Sequence, residues 1–200
     1  MQELNRCYVG LKLPDNLLPN IQTIQMDVRR RGGSDGLRWT HDGELYICLL
    51  PLGELRSDIL VRVIGQLERI ATQFPPFPVM IGGIDGQPSL YSPKTVVVHI
   101  RDASGNMAKI AERLRADLGQ FLNLPNLQAF NPTIEIGRMK SLDDRSRSHA
   151  GRAIKMSQVS EVGAMRFDRL QLLVAAADAN GPRLDALENY RLTGEQPDEA

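Results

Sequence analysis

The clearest strand signal of the chain lies in residues 37–54, which read LRWTHDGELYICLLPLGE. A turn-forming Asp-Gly pair precedes an apolar run, LYICLL, at residues 45–50. A run of that length and composition, bounded by turn residues, predicts a buried strand. Because side chains alternate between the two faces of a strand, we expect Tyr46, Cys48 and Leu50 on one face.

A second stretch of the same kind lies in residues 129–138, AFNPTIEIGR. Its apolar side chains fall on alternate positions, which predicts a strand with one buried face. Thr133 and Glu135 share the opposite face, and Arg138 closes the stretch. The chain therefore has two strands, far apart in sequence, that each present a pair of side chains at positions i and i+2.

Strand and helix patterns alternate through the rest of the chain, and this alternation alone would allow a parallel α/β sheet. Strands are predicted at residues 7–13, 77–86, 95–100, 169–176 and 184–192, and helices with one apolar stripe at residues 17–28, 60–74 and 107–118. Residues 140–155 form a charged segment, which we interpret as a loop that contains His149.

The composition indicates a water-soluble globular protein, with 42% apolar and 24% charged residues. Acidic and basic residues each number 24, so no overall charge favours nucleic acid or membrane. No stretch approaches the ~20 apolar residues of a membrane-spanning helix, and the first ten residues, MQELNRCYVG, lack the long apolar segment that is typical of a signal peptide. We expect a cytoplasmic protein with two buried thiols, Cys7 and Cys48, and with no metal site or cofactor.

Both strands resemble the two motifs of the 2H phosphoesterases, in particular the RNA 2′,3′-cyclic phosphodiesterases once called 2′-5′ RNA ligases. The family's first strand carries His-x-Thr in a context like RW-(few)-LHLTLKFLGE, and its second reads FRPHLTLAR. Here Tyr46 and Cys48 replace the first His and Thr, and Thr133 and Glu135 replace the second pair. Arg138 matches the arginine of the family's second motif. The framing residues are kept, and the residues that carry the chemistry are not.

The resemblance covers residues 6 to about 192, and it implies an α+β fold of two lobes. Each lobe would be an antiparallel sheet with helices on its outside, and the two would face each other across a central groove. We expect one such domain at residues 1–194, a flexible C-terminal tail at residues 195–200, and a monomer.

The family's reaction needs groups that this chain lacks at the matching positions. Opening a 2′,3′-cyclic phosphate needs one side chain to remove a proton and another to donate one, which two histidines do near neutral pH. Tyr46, with an ordinary pKa of ~10, is a poor base, Thr133 does not titrate, and Cys48 is only a weak donor. Glu135 would place a negative charge where the family places a phosphoryl oxygen. We therefore expect no catalytic residues among these four.

The resemblance implies that the groove binds RNA or a nucleotide-like anion, with Tyr46, Cys48, Thr133, Glu135 and Arg138 as its ligand-binding residues. One alternative is an enzyme with a rebuilt site, in which Tyr46 and Glu135 act on a phosphoester. Another is a protein-interaction module with a vestigial groove. The basic residues between Arg138 and Lys155 are either a solvated face or a rim that binds RNA backbone.

Overall fold

The structure, a computed structural model, describes residues 5–33, 36–125, 130–141, 143–158, 161–179 and 181–195. This part of the chain contains nine strands and four α-helices. The strands are β1 (Asn5–Lys12), β2 (Leu37–Trp39), β3 (Tyr46–Leu55), β4 (Phe77–Gln87), β5 (Thr95–Arg101), β6 (Thr133–Met139), β7 (Glu161–Phe167), β8 (Arg169–Asp178) and β9 (Gly181–Arg191). The helices are α1 (Leu18–Val28), α2 (Ser57–Ala71), α3 (Asn106–Leu118) and α4 (Asp144–Met156). Most of the predicted tail, residues 196–200, lies outside the described residues.

The strands form two antiparallel sheets, in the order β3-β1-β8-β9 and β2-β6-β5-β4-β7. This confirms the predicted α+β fold and excludes the parallel sheet that periodicity alone allowed. The first sheet joins strands from both ends of the described chain, and the second is made from the middle. The prediction of one domain over residues 1–194 stays a prediction.

The helices bury their apolar stripes against these sheets. α2 packs on β8 and β9, α1 and α4 pack against the second sheet, and α3 contacts α2 and β3. Along α2, Val63, Leu67 and Ile70 are fully buried at helical spacing, and each such side chain contributes about 1.5–3 kcal/mol of transfer free energy. Among the described helices, none is both long and apolar enough to cross a membrane.

The charged segment is a helix and not the loop that we expected. α4 begins after Asp143, whose carboxylate accepts a hydrogen bond from the backbone N–H of Ser146 at 2.8 Å, as an N-cap does. Its buried stripe consists of Ala150, Ala153 and Ile154. His149 is exposed on this helix. The stripe is narrow and largely alanine, so the charged residues around it hid the helical period.

The strict alternation predicted along β3 fails after Cys48. The pairing of β1 with β3 shifts register between Val9, opposite Leu50, and Gly10, opposite Cys48. Such a bulge places one extra residue on β3, so the side chains that follow it change face. As a result both Leu49 and Leu50 are buried, and the prediction that Leu50 shares a face with Cys48 is wrong.

Candidate ligand-binding groove

The two motif strands meet across a groove between the sheets. β3 is the edge strand of the first sheet and contacts β6 of the second. A cavity of about 800 Å³ opens beside them. Its lining comes from both sheets, from α3 and from the loop before β5: Cys48, Leu49, Pro51, Gln87, Pro88, Lys94, Thr95, Arg115, Phe130, Asn131, Thr133, Glu135 and Arg138.

Four of the five predicted site residues line this cavity, and the fifth, Tyr46, packs on Tyr8. Cys48, Thr133, Glu135 and Arg138 are in the lining, whereas Tyr46 is not among the described lining residues. The ring of Tyr46 packs edge-to-face on Tyr8 of β1, with centroids 5.5 Å apart. Tyr8 was not singled out from the sequence, because its place beside Tyr46 depends on the pairing of β1 with β3.

Burial keeps the first motif pair protonated. It raises the pKa of Tyr46 far above its ordinary value, with the neighbouring Cys48 adding to the effect. It also raises the pKa of the Cys48 thiol to about 11, although the hydrogen bond between Cys48 and the Tyr46 hydroxyl lowers that pKa in part. At neutral pH both groups are uncharged proton donors, so neither can serve as a general base.

Arg138 and Glu135 form a two-pronged ion pair at the groove. Arg138 Nε donates to Glu135 Oε1 at 2.8 Å, and Nη2 donates to Oε2 at 2.7 Å. This hydrogen bonding raises the pKa of the Arg138 guanidinium above its ordinary value. The side chains are 61% and 34% exposed, so solvent weakens the pair to the range of surface ion pairs, roughly 0–1 kcal/mol. The carboxylate thus occupies a face of Arg138 that an anion could use.

A bulge in β6 explains how these two residues meet. On a regular strand, residues three apart point to opposite faces. The pairing of β5 with β6 shifts between Val96, opposite Gly137, and Val97, opposite Glu135. The extra residue turns Arg138 back toward the face of Glu135, which sequence alternation alone could not predict.

Two further cations in the lining, Lys94 and Arg115, were not predicted from the sequence. Lys94 lies in the loop before β5, and Arg115 lies on α3, more than fifteen residues from either motif. Both were ordinary charged residues of a loop and a helix, and only the tertiary fold brings them to the groove. With Arg138 they give three cationic side chains against one carboxylate, Glu135, among the described lining residues.

Three basic residues of α4 and one of the histidines have positions outside the described lining of the groove. Arg147 of α4 pairs with Asp144 at 2.7 Å, and Arg152 and Lys155 line a different, smaller pocket. The Nε2 atom of His99 lies 3.4 Å from an Asp85 carboxylate oxygen. Within the described ranges, no three His, Cys, Asp or Glu side chains are grouped so that they could hold a metal ion. RNA binding by the basic residues of α4 stays a prediction.

Comparison with known proteins gives a consistent result over most of the chain. The family model of the 2′-5′ RNA ligase superfamily matches residues 13–179. The RNA 2′,3′-cyclic phosphodiesterase of Archaeoglobus fulgidus is 22% identical over 177 residues, which are 88% of this chain and 94% of that protein.

Solved structures share the fold over nearly the whole chain. The crystal structure of TT0787 of Thermus thermophilus has a TM-score of 0.76 at 21% identity and covers 96% of this chain and 100% of that one. Escherichia coli LigT complexed with phosphate has a TM-score of 0.69 at 18% identity, with 96% and 99% covered. LigT complexed with 3′-AMP has a TM-score of 0.67 at the same identity and coverage.

Proposed function

The chain belongs to the 2′-5′ RNA ligase superfamily, and we propose that its groove binds RNA or a nucleotide-like anion through phosphate, without hydrolysing it. The observation that carries the proposal is the lining of the cavity. It keeps Arg138 and adds two more cations, while both His-x-Thr motifs are replaced.

The protonation states in the groove support the proposed loss of hydrolysis. A positioned acid or base typically contributes ~10²–10⁴ in rate, and neither motif position holds the family's histidine. Tyr46 holds its proton far above that range because burial raises its pKa. Thr133 has no acid–base function there.

The retained binding follows from charge and from the ligand class of relatives. The described lining residues carry more positive than negative charge, which favours a phosphate-bearing ligand. LigT, which shares this fold, has been crystallised with phosphate and with 3′-AMP. These complexes support a nucleotide-like anion as the ligand of this groove, with Cys48 and Thr133 as neutral hydrogen-bonding groups beside Arg138.

The two alternatives have less support. A rebuilt enzyme would need Glu135 as a free base or Tyr46 as an acid, yet Glu135 is bound to Arg138 and Tyr46 is not among the described lining residues. A protein-interaction role does not account for three cations gathered in one concave site.

A hydrolysis assay tests the proposal directly. Adenosine 2′,3′-cyclic phosphate is incubated with the protein at pH 7 and its products are separated by chromatography, while binding of 3′-AMP is measured by calorimetry. We expect binding and no turnover by wild type, Tyr46→Phe or Glu135→Gln. Turnover that disappears in either variant would establish the rebuilt enzyme instead, and absence of both binding and turnover would overturn the anion-binding proposal.

A further inference from the structure

Arg115 lines the groove and has a guanidinium nitrogen without a hydrogen-bond partner among the described residues. This nitrogen, Nε, is buried. The carboxylate that lies nearest in sequence on the same helix, Asp117, is already used by Arg113 Nε at 3.0 Å and by Arg69 Nη2 at 3.7 Å. A buried donor without an acceptor is costly, and more so when the group is charged. Arg115 is thus a cation of the groove with no anionic partner among the described residues.

Lys94 lines the same cavity and has no carboxylate partner among the described residues. Its backbone N–H donates to the Gln87 carbonyl at 2.6 Å, and its carbonyl accepts from the Met139 N–H at 2.9 Å. These bonds fix the loop beside the end of β6, where Thr95 pairs with Arg138. In the part of the chain that the structure describes, neither Lys94 nor Arg115 forms an ion pair.

The three cations of the lining therefore differ in whether a carboxylate is already paired with them. Arg138 is bound to Glu135 and must exchange that carboxylate for a ligand, whereas Lys94 and Arg115 have no anion to give up among the described residues. A guanidinium binds a phosphate in a fixed, often bidentate geometry, and a lysine acts as a point charge. Because Lys94 and Arg115 come from the loop before β5 and from α3, they could bind a phosphate without displacing Glu135 from Arg138.

We propose that Arg115, assisted by Lys94, binds a second phosphate of a ligand whose first phosphate lies at Arg138. The ligand then carries at least two phosphate groups, as a short RNA or a nucleoside triphosphate does. This inference rests on the proposed function, since it assumes that Arg138 binds the first phosphate.

The test compares ligands with one and with several phosphates. 3′-AMP, ATP and 5′-phosphorylated tetra-adenylate are titrated into wild type, Arg115→Gln and the matched control Arg113→Gln at two salt concentrations. We expect Arg115→Gln to weaken tetra-adenylate or ATP binding about tenfold or more, since a charge-assisted bond is lost, and to change 3′-AMP binding less than about twofold. For tetra-adenylate, the slope of log K against log salt should fall by about 0.7 for the one lost contact. Arg113→Gln, which removes the partner of Asp117, should change neither the three affinities nor the salt slope.

The ligands also separate the possible outcomes. A loss confined to tetra-adenylate supports a nucleic-acid backbone, and a loss that includes ATP supports a phosphate chain. Equal affinity of Arg115→Gln and wild type for all three ligands overturns this inference and leaves the proposed function intact. Loss of 3′-AMP binding in Arg115→Gln also overturns it, because the first phosphate would then lie at Arg115. If no ligand binds wild type, the proposed function fails as well. Arg115→Lys, which keeps the charge and the stem, provides a folded substitute if Arg115→Gln is unstable.

Discussion

At the scale of single residues, the groove is defined by which polar groups are already paired. The resemblance to the family's two motifs implied that Cys48, Thr133, Glu135 and Arg138 would lie in one groove, and alternation along each strand placed only Thr133 and Glu135, or Cys48 and its neighbour Tyr46, on a shared face. The sequence was not sufficient to predict that Glu135 would bind Arg138, since that contact needs the bulge in β6.

Cys7 gives a prediction for the pH dependence of stability. Its thiol is fully buried in β1, and burial raises its pKa to about 11. The folded state therefore holds this proton more tightly than the unfolded chain, where the pKa is ~8.5. The resulting stabilisation is complete below that unfolded value and is lost as pH rises toward 11, by roughly 3 kcal/mol in all.

A comparison of Cys7→Ala with wild type measures this loss. We expect the variant to be less stable at pH 7, because a core side chain is shortened, but to lose less free energy of unfolding between pH 8 and pH 11. Urea denaturation across that range gives both curves. Parallel curves for the two proteins would contradict the assignment of this alkaline loss to Cys7.

At the scale of elements, the strands and helices with broad apolar patterns were predicted well. The β-branched run of β5 and the wide stripes of α2 and α3 confirm this. β7 was missed because its alternation is interrupted by Gly163, which has a φ of 138°. α4 was missed because its buried side chains are mostly alanines, whose small apolar area gives a weak periodic signal.

Gly10 fixes how closely β1 approaches the first motif strand. A Cβ added at Gly10 would overlap the carbonyl oxygen of Ile47 on β3, so only glycine fits there without moving that strand. We expect Gly10→Ala to lower the free energy of unfolding by about 1–3 kcal/mol, as overpacking does. The matched control is Gly65→Ala on the exposed face of α2, where an added Cβ meets nothing within 4 Å. Replacing a helical glycine with alanine should stabilise by about 0.5–1 kcal/mol.

Chemical denaturation of both glycine variants checks the prediction. Changes of opposite sign support the close approach of β1 and β3. A Gly10→Ala protein as stable as Gly65→Ala would contradict this pairing of the two strands.

At the scale of the whole molecule, the groove depends on contacts that no local pattern contains. The resemblance of two short stretches to a known family implied two lobes and a groove, and the two antiparallel sheets confirm that fold. The lining residues Lys94 and Arg115 come from a loop and a helix that reach the groove only in the folded chain. Their ordinary surroundings in the sequence gave no signal of this position.

We propose that Arg138 binds the anion and that the Glu135 carboxylate, which is paired with it, competes with the anion. The most direct measurement is calorimetric titration of 3′-AMP into wild type, Glu135→Thr, Arg138→Ala and the control Glu112→Thr, which removes an exposed carboxylate of α3 that is not among the described lining residues. We predict tighter binding by Glu135→Thr, because a repelling and competing charge is removed, and binding by Arg138→Ala weaker by about 1.5–3 kcal/mol. Glu112→Thr should match wild type. Equal binding by all four proteins, or no binding by any of them, would contradict the claim.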